Sequence, residues 1–176
     1  GDDDLLEILG QAKNPTVIQN HLKKLFQGIH KVSFNNESCT KITAMVSSAS
    51  ETVPLENPVD VNERVEDWLE SLAVEMRSTL ASQLNACLQS KKFNWEYPSQ
   101  ILCLAACIRF TDDCEHAIDE GRPGLENLVK SLESTLREFT SHDLSDKPLL
   151  QIKMKALVFD LVHNIDVVKQ LLGKRG

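Results

Sequence analysis

The spacing of apolar positions changes twice along this chain, and each change marks a new kind of element. In residues 1–30, Leu5, Leu6, Ile8 and Leu9, then Leu22, Leu25, Phe26 and Ile29, recur at helical spacing. Asp2, Asp3 and Asp4 crowd a first turn, where the macrodipole favours negative charge, and Gly10 supplies a left-handed stop. Asn14 suits an N-cap, and Pro15 fits the helical position that needs no N–H donor. Two short helices in series are expected.

The period then becomes two. Lys31–Phe34 alternates, Asn35–Ser38 is turn-rich, Lys41–Val46 alternates again, and Thr52–Leu55 adds a short extended run. This predicts a small antiparallel hairpin or meander near residues 31–56, with Pro54 confining the last strand to an edge and Pro58 closing the patch. From Asn62 the period is 3.6. Val65, Leu69, Leu72, Met76, Leu80, Leu84 and Leu88 mark one face of a helix on the order of 40 Å long. An aromatic loop, Phe93–Tyr97, leads to Pro98, placed as an N1 proline. A helix from Ser99 to about Glu120 should bury Ile101, Leu104, Ile108 and Ile118, and Gly121-Arg-Pro-Gly124 breaks it. Leu125 to Phe139 forms the next helix. Pro148 starts the last, whose inward positions are Leu149, Ile152, Ala156, Leu157, Leu161, Ile165, Val168 and Leu172, and Gly173 stops it. The predicted fold is mainly α: an elongated bundle of about five to six helices with one small β patch. Its 176 residues form one segment, with a helical hairpin over 1–30, the patch over 31–60 and long helices over 61–176.

Composition adds limits. A net charge of −7 argues against nucleic acid and against a direct hold on an acidic microtubule wall. No apolar run reaches a membrane span and no signal peptide opens the chain. The absence of an initiator Met suggests an excised piece of something longer. Residues 111–146 hold ten acids against three bases, and 147–175 hold six bases against two acids, a pattern read as solvated helix faces. Five cysteines without framework spacing fit a reducing compartment, which leaves the Asn36-Glu37-Ser38 sequon idle.

Catalytic chemistry is hard to find. No glycine sits in a phosphate-loop frame, and Gly121–Gly124 reads as a helix break rather than an anion nest. Cys103, Cys107 and Cys114 share a helical face near His116, but cysteines in such a setting behave as small core hydrophobes, and no metal knuckle is formed. His163 lies among apolar residues and reads as a packing histidine. Asp112-Asp113 and Asp119-Glu120 are solvated charge. Trp68, Trp95 and the Phe93–Tyr97 loop suit either an interface or a core. No catalytic, cofactor or metal residue is assigned.

The literal wording goes further than these patterns. Asp3-Asp4-Leu5-Leu6-Glu7-Ile8-Leu9-Gly10-Gln11, His21-Leu22-Lys23-Lys24-Leu25-Phe26, Val65-Glu66-Asp67-Trp68-Leu69, Tyr97-Pro98-Ser99-Gln100-Ile101, Ile108-Arg109-Phe110-Thr111 and Val162-His163-Asn164-Ile165-Asp166 occur in this order. The run resembles the linker region of dynein heavy chains, and the cytoplasmic and intraflagellar-transport branch more than the axonemal one. The positions carrying the likeness are Asp4, Leu5, Leu6, Glu7, Ile8, Leu9, Gly10, His21, Leu22, Lys23, Lys24, Trp68, Leu69, Pro98, Ser99, Gln100, His163 and Asp166.

The resemblance implies a helical arm lying across an AAA+ ring and moved by ATP hydrolysis in that ring. It implies ATP and Mg bound in the ring and none in this segment. Partners would be the ring of the same heavy chain and other dynein subunits, with no nucleic acid, membrane or direct microtubule contact. The cell compartments implied are cytoplasm, cytoskeleton and cilium. Two places depart from the family wording. Ala49-Ser50-Glu51 stands where Glu-Gly-Glu is common, and Ala106-Cys107 stands where intraflagellar members tend to carry a polar pair. A free-standing helical adaptor and, more remotely, a cysteine enzyme are the competing readings.

Overall fold

Alternating Val, Ile and Met residues between Asn-rich and Ser-rich turns build the only sheet among the described residues. The computed structural model describes residues 22, 26, 29–91 and 93–175. Strands β1 (Lys31–Phe34), β2 (Lys41–Val46) and β3 (Thr52–Asp60) pair antiparallel in the order β1-β2-β3. Helices α1 (Val65–Gln89), α2 (Ser99–Asp119), α3 (Arg122–Thr140) and α4 (Pro148–Arg175) follow. The chain is therefore mainly α with a small antiparallel meander, as the pattern implies. The two further helices expected within residues 1–30 lie outside the described residues.

Two compact units divide the chain, residues 1–82 and 83–176. In the first, Val32 pairs with Met45 and Met45 with Val53, while Ile42 pairs with Val59, so one sheet face is a continuous apolar ladder. Leu22, Val65, Trp68, Leu69, Leu72 and Met76 join that ladder in one core. Both turns contain a non-glycine residue at positive φ. Cys39 (φ 53°) ends the Asn35–Thr40 turn, where Asn36 Oδ1 accepts the Ser38 N–H at 3.0 Å. Ser50 (φ 64°) ends the β2–β3 turn, with Ser50 N donating to Ser47 O and Ser47 N to Glu51 O, both at 3.0 Å. Ser50, where the family wording commonly has glycine, thus takes a left-handed conformation.

Pro54 does lie on an edge strand, but Pro58 does not close the patch. β3 continues through it to Asp60, because the register shifts between Ala44↔Pro54 and Ile42↔Val59 and leaves Pro58 in a bulge where no ladder N–H is needed.

In the second unit α2, α3 and α4 pack on one another, around Ala117, Leu125, Leu128, Val129 and Val168. Glu120 and Gly121 join α2 to α3, and Gly121 makes the turn at φ 79° and ψ −156°, a conformation essentially reserved for glycine. Arg122 and Pro123 already belong to the first turn of α3. Gly124 is needed for close approach: a Cβ there would sit 2.6 Å from the Ala117 carbonyl oxygen.

Several helical expectations are corrected. Pro98 is the residue before α2, not its first, and its carbonyl accepts from Leu102 N at 3.0 Å. Leu104 and Ile108 are exposed, and Leu102 and Ala105 are buried in their place. Leu149 and Ile152 are likewise exposed, while Lys153 and Met154 are buried. Gly173 does not stop α4, which runs on to Arg175. Glycine inside a helix costs only about 1 kcal/mol, and Arg122 Nη1 supports that end by donating to Leu172 O at 3.2 Å.

Candidate functional site

The family-wording positions fall into three groups. Asp4, Leu5, Leu6, Glu7, Ile8, Leu9, Gly10, His21, Lys23 and Lys24 lie outside the described residues. Leu22, Trp68 and Leu69 come together in the core of the first unit, with Leu22 and Trp68 almost wholly buried. Pro98 is buried and Ser99 half-buried at the start of α2, while Gln100, His163 and Asp166 are exposed. His163 is therefore not a packing residue: α4 buries Leu157, Ile165 and Val168 and turns His163 to solvent.

The cysteines of the described residues differ widely in exposure. Cys87 is buried, Cys103 and Cys114 are half-buried, and Cys107 is exposed, so the shared face is not a core stripe throughout. Burial, and then the Asp160 carboxylate, push the Cys103 thiol up; burial and Glu115 do the same for Cys114. Both shifts disfavour the thiolate that a nucleophile requires. No cluster of three metal-binding side chains occurs among the described residues. His116 Nδ1 lies 2.8 Å from the Asp112 carbonyl oxygen, and that contact, followed by the Asp112 carboxylate, raises its pKa. The pair is fully solvated on the helix surface. No helix is long and apolar enough to cross a membrane among the described residues.

What the second unit does hold is a set of cation clamps on backbone carbonyls. α1 has no basic residue in its last turn, and Arg109 of α2 supplies the charge instead. Its guanidinium donates to Cys87 O at 2.6 Å and to Ser90 O at 3.4 Å. Lys153 of α4 is 4% exposed, and its Nζ donates to Trp95 O and Tyr97 O, both at 2.8 Å. The Phe93–Tyr97 loop is further held by its aromatics. Phe93, Trp95 and Phe139 form a three-ring cluster with centroids 4.5 to 5.6 Å apart. Packing thus wins for Trp95, while Phe93 keeps 44% of its surface in solvent.

Sequence reasoning missed both clamps because their partners lie 22 and 58 residues away. A signal existed for Lys153: it precedes Met154 and stands four residues before Leu157, on the stripe that the helix buries.

An open apolar groove of about 620 Å³ runs beside Phe139, Leu144, Met154, Val158, Phe159 and Val162. Phe159 is 75% exposed, a large ring left in water. Thr140, His142, Asp143, Ser145, Gln151 and Lys155 complete the lining, and exposed apolar surface rimmed by polar residues marks interaction or ligand-binding sites.

Residues 1–87 match the family model described as Dynein heavy chain, N-terminal region 2. Across its whole length the chain is 48% identical to cytoplasmic dynein 2 heavy chain 1 of Tripneustes gratilla. It is 46% identical to the human protein of that name over 97% of its length. Against the cytoplasmic dynein heavy chain of Caenorhabditis elegans the identity falls to 37% over 99% of the chain. The chain spans about 4% of the length of each of these relatives. It belongs to the dynein heavy chain family, within the N-terminal region of those proteins.

Proposed function

We propose that this chain is a mechanical lever segment of a microtubule motor, passing ATP-driven changes of an AAA+ ring to a cargo-binding tail. The observation that carries the reading is the 48% identity to a dynein heavy chain across the full length, joined to a fold made of long packed helices. A lever needs stiffness and docking surface. Helices clamped by Arg109 and Lys153 serve the first, and the apolar groove beside Phe159 serves the second.

Under this reading the segment itself turns over no substrate and needs no cofactor. ATP and Mg act in the ring of the parent heavy chain, which with other dynein subunits supplies the partners. The greater identity to cytoplasmic dynein 2 heavy chains than to the nematode cytoplasmic dynein heavy chain supports a role in cytoplasm, cytoskeleton and cilium, in intraflagellar transport. Full-length likeness to heavy chains does not favour a free-standing adaptor.

The test has two parts. An antibody to this chain should detect a polypeptide of several hundred kilodaltons in source cells, and the purified chain should neither hydrolyse ATP nor co-sediment with microtubules. A native band near 19.7 kDa, or ATP turnover by the purified chain, would overturn the assignment.

A further inference from the structure

Strand β3 is longer than its pairing requires. Between the rungs Ala44↔Pro54 and Ile42↔Val59, β2 contributes Thr43 alone while β3 contributes residues 55–58. The surplus is not loose. Leu55 is buried in the core, and the exposed Glu56 and Asn57 have their backbone N–H groups taken up by α1. Glu56 N donates to Thr79 Oγ1 at 3.1 Å, and Asn57 N donates to Glu75 Oε1 at 2.7 Å. The Thr79 hydroxyl in turn donates to Glu75 Oε1 at 3.3 Å, closing a small network. Thr79 is fully buried, which makes it the one polar side chain among the eight largest fully buried ones. A buried hydroxyl on the apolar face of a helix needs a partner, and here the partner is the bulge.

We infer that residues 55–58 form a pinned strap, a surplus of strand length held against α1 by Thr79 and Glu75 and able to open while the sheet on either side stays paired. The reasons are local. Pro58 has no N–H to donate, and no residue of 55–58 has a register partner on β2, so the strap has no rung to lose when it opens. Leu55 and the two pins are its described attachments to α1 and the core. Once released, the strap can bow away from α1 without breaking the Val61 N to Thr40 O rung beyond one end or the Ser47 N to Glu51 O rung beyond the other, at 2.8 and 3.0 Å. The device stands on this geometry whether or not the chain bears load.

Amide hydrogen exchange on the purified 176-residue chain tests it. Thr79→Val should speed exchange at Glu56 by about tenfold, the value of one lost hydrogen bond, and leave Val61 and Ser47 at their wild-type rates. Glu75→Ala should do the same at Asn57, and Thr79→Ser, which keeps the hydroxyl, should leave Glu56 protected. The inference is overturned if Glu56 and Asn57 exchange at wild-type rates in the variants. It is equally overturned if Val61 and Ser47 speed up with them, since the sheet then opens as one, or if Thr79→Ser behaves like Thr79→Val.

Discussion

Among the described residues, the family-wording positions of the first unit are interior, whereas those of the second are divided between Pro98 and Ser99, buried and half-buried, and three exposed residues. In the sheet-bearing unit Leu22, Trp68 and Leu69 are interior, and the likeness to dynein heavy chains there reflects what the fold needs in order to exist. In the three-helix unit Gln100, His163 and Asp166 face solvent, and packing makes no demand on them. The same unit leaves Ile152, Phe159 and Val162 exposed on α4. The first unit is thus explained by its own core, whereas the second carries surface that its own fold does not use. On the proposed function, contacts to the rest of the heavy chain are best sought on the second.

The sharpest way to break that contrast is a matched pair of truncations. Leu72→Ala, at a fully buried site, should cost about 2–5 kcal/mol in urea unfolding. Phe159→Ser should change stability by less than about 0.5 kcal/mol, because the ring already lies in water. Equal losses would mean that Phe159 is a core residue after all. Next in size is Gly124→Ala in the second unit. Its new Cβ meets the Ala117 carbonyl oxygen at 2.6 Å and the Glu120 Cβ at 2.7 Å, neither the far end of a flexible side chain, and a loss of about 1–3 kcal/mol is expected in the same assay. Unchanged stability would show that α2 and α3 separate easily.

Ser50→Gly works in the other direction. Relieving a left-handed serine should raise the stability of the first unit by about 0.5–1 kcal/mol, the strain recovered less the added chain entropy. A loss instead would mean that the serine side chain stabilises the turn. Smallest in energy, but readily measured, is thiol labelling of the second unit. Cys107 should react first. Cys103 and Cys114 should lag, with rates still climbing at a pH where an ordinary thiol has levelled off, because a raised pKa lowers the thiolate fraction at any given pH.

Much of this fold was written locally. The switch from a period of two to one of 3.6 near Asn62 located both the sheet and α1, and Asn, Gly and Pro punctuation located most helix ends. Failures came where local pattern is degenerate. α2 has apolar residues nearly all round, so a wheel through Ile101, Leu104 and Ile108 fits as well as one through Ile101, Leu102 and Ala105, and only the neighbours decide. Gly173 and Pro58 read as stops, yet a helix interior tolerates the first and a bulge absorbs the second. The clamps by Arg109 and Lys153, and the Glu75–Thr79 pins, join residues 18 to 58 apart, distances that no local period encodes. As for function, the family was legible as wording rather than as chemistry, and a lever of the kind proposed would display no constellation of reactive groups.

The most direct test of the lever is coupling in the intact motor. If the chain acts as the proposed lever, Leu72→Ala placed in the complete heavy chain should slow microtubule gliding several-fold while ATP turnover persists, because the proposed arm would soften and the ring would not. Gliding at wild-type speed with a destabilised arm, or gliding and ATP turnover lost in the same proportion, would contradict the account.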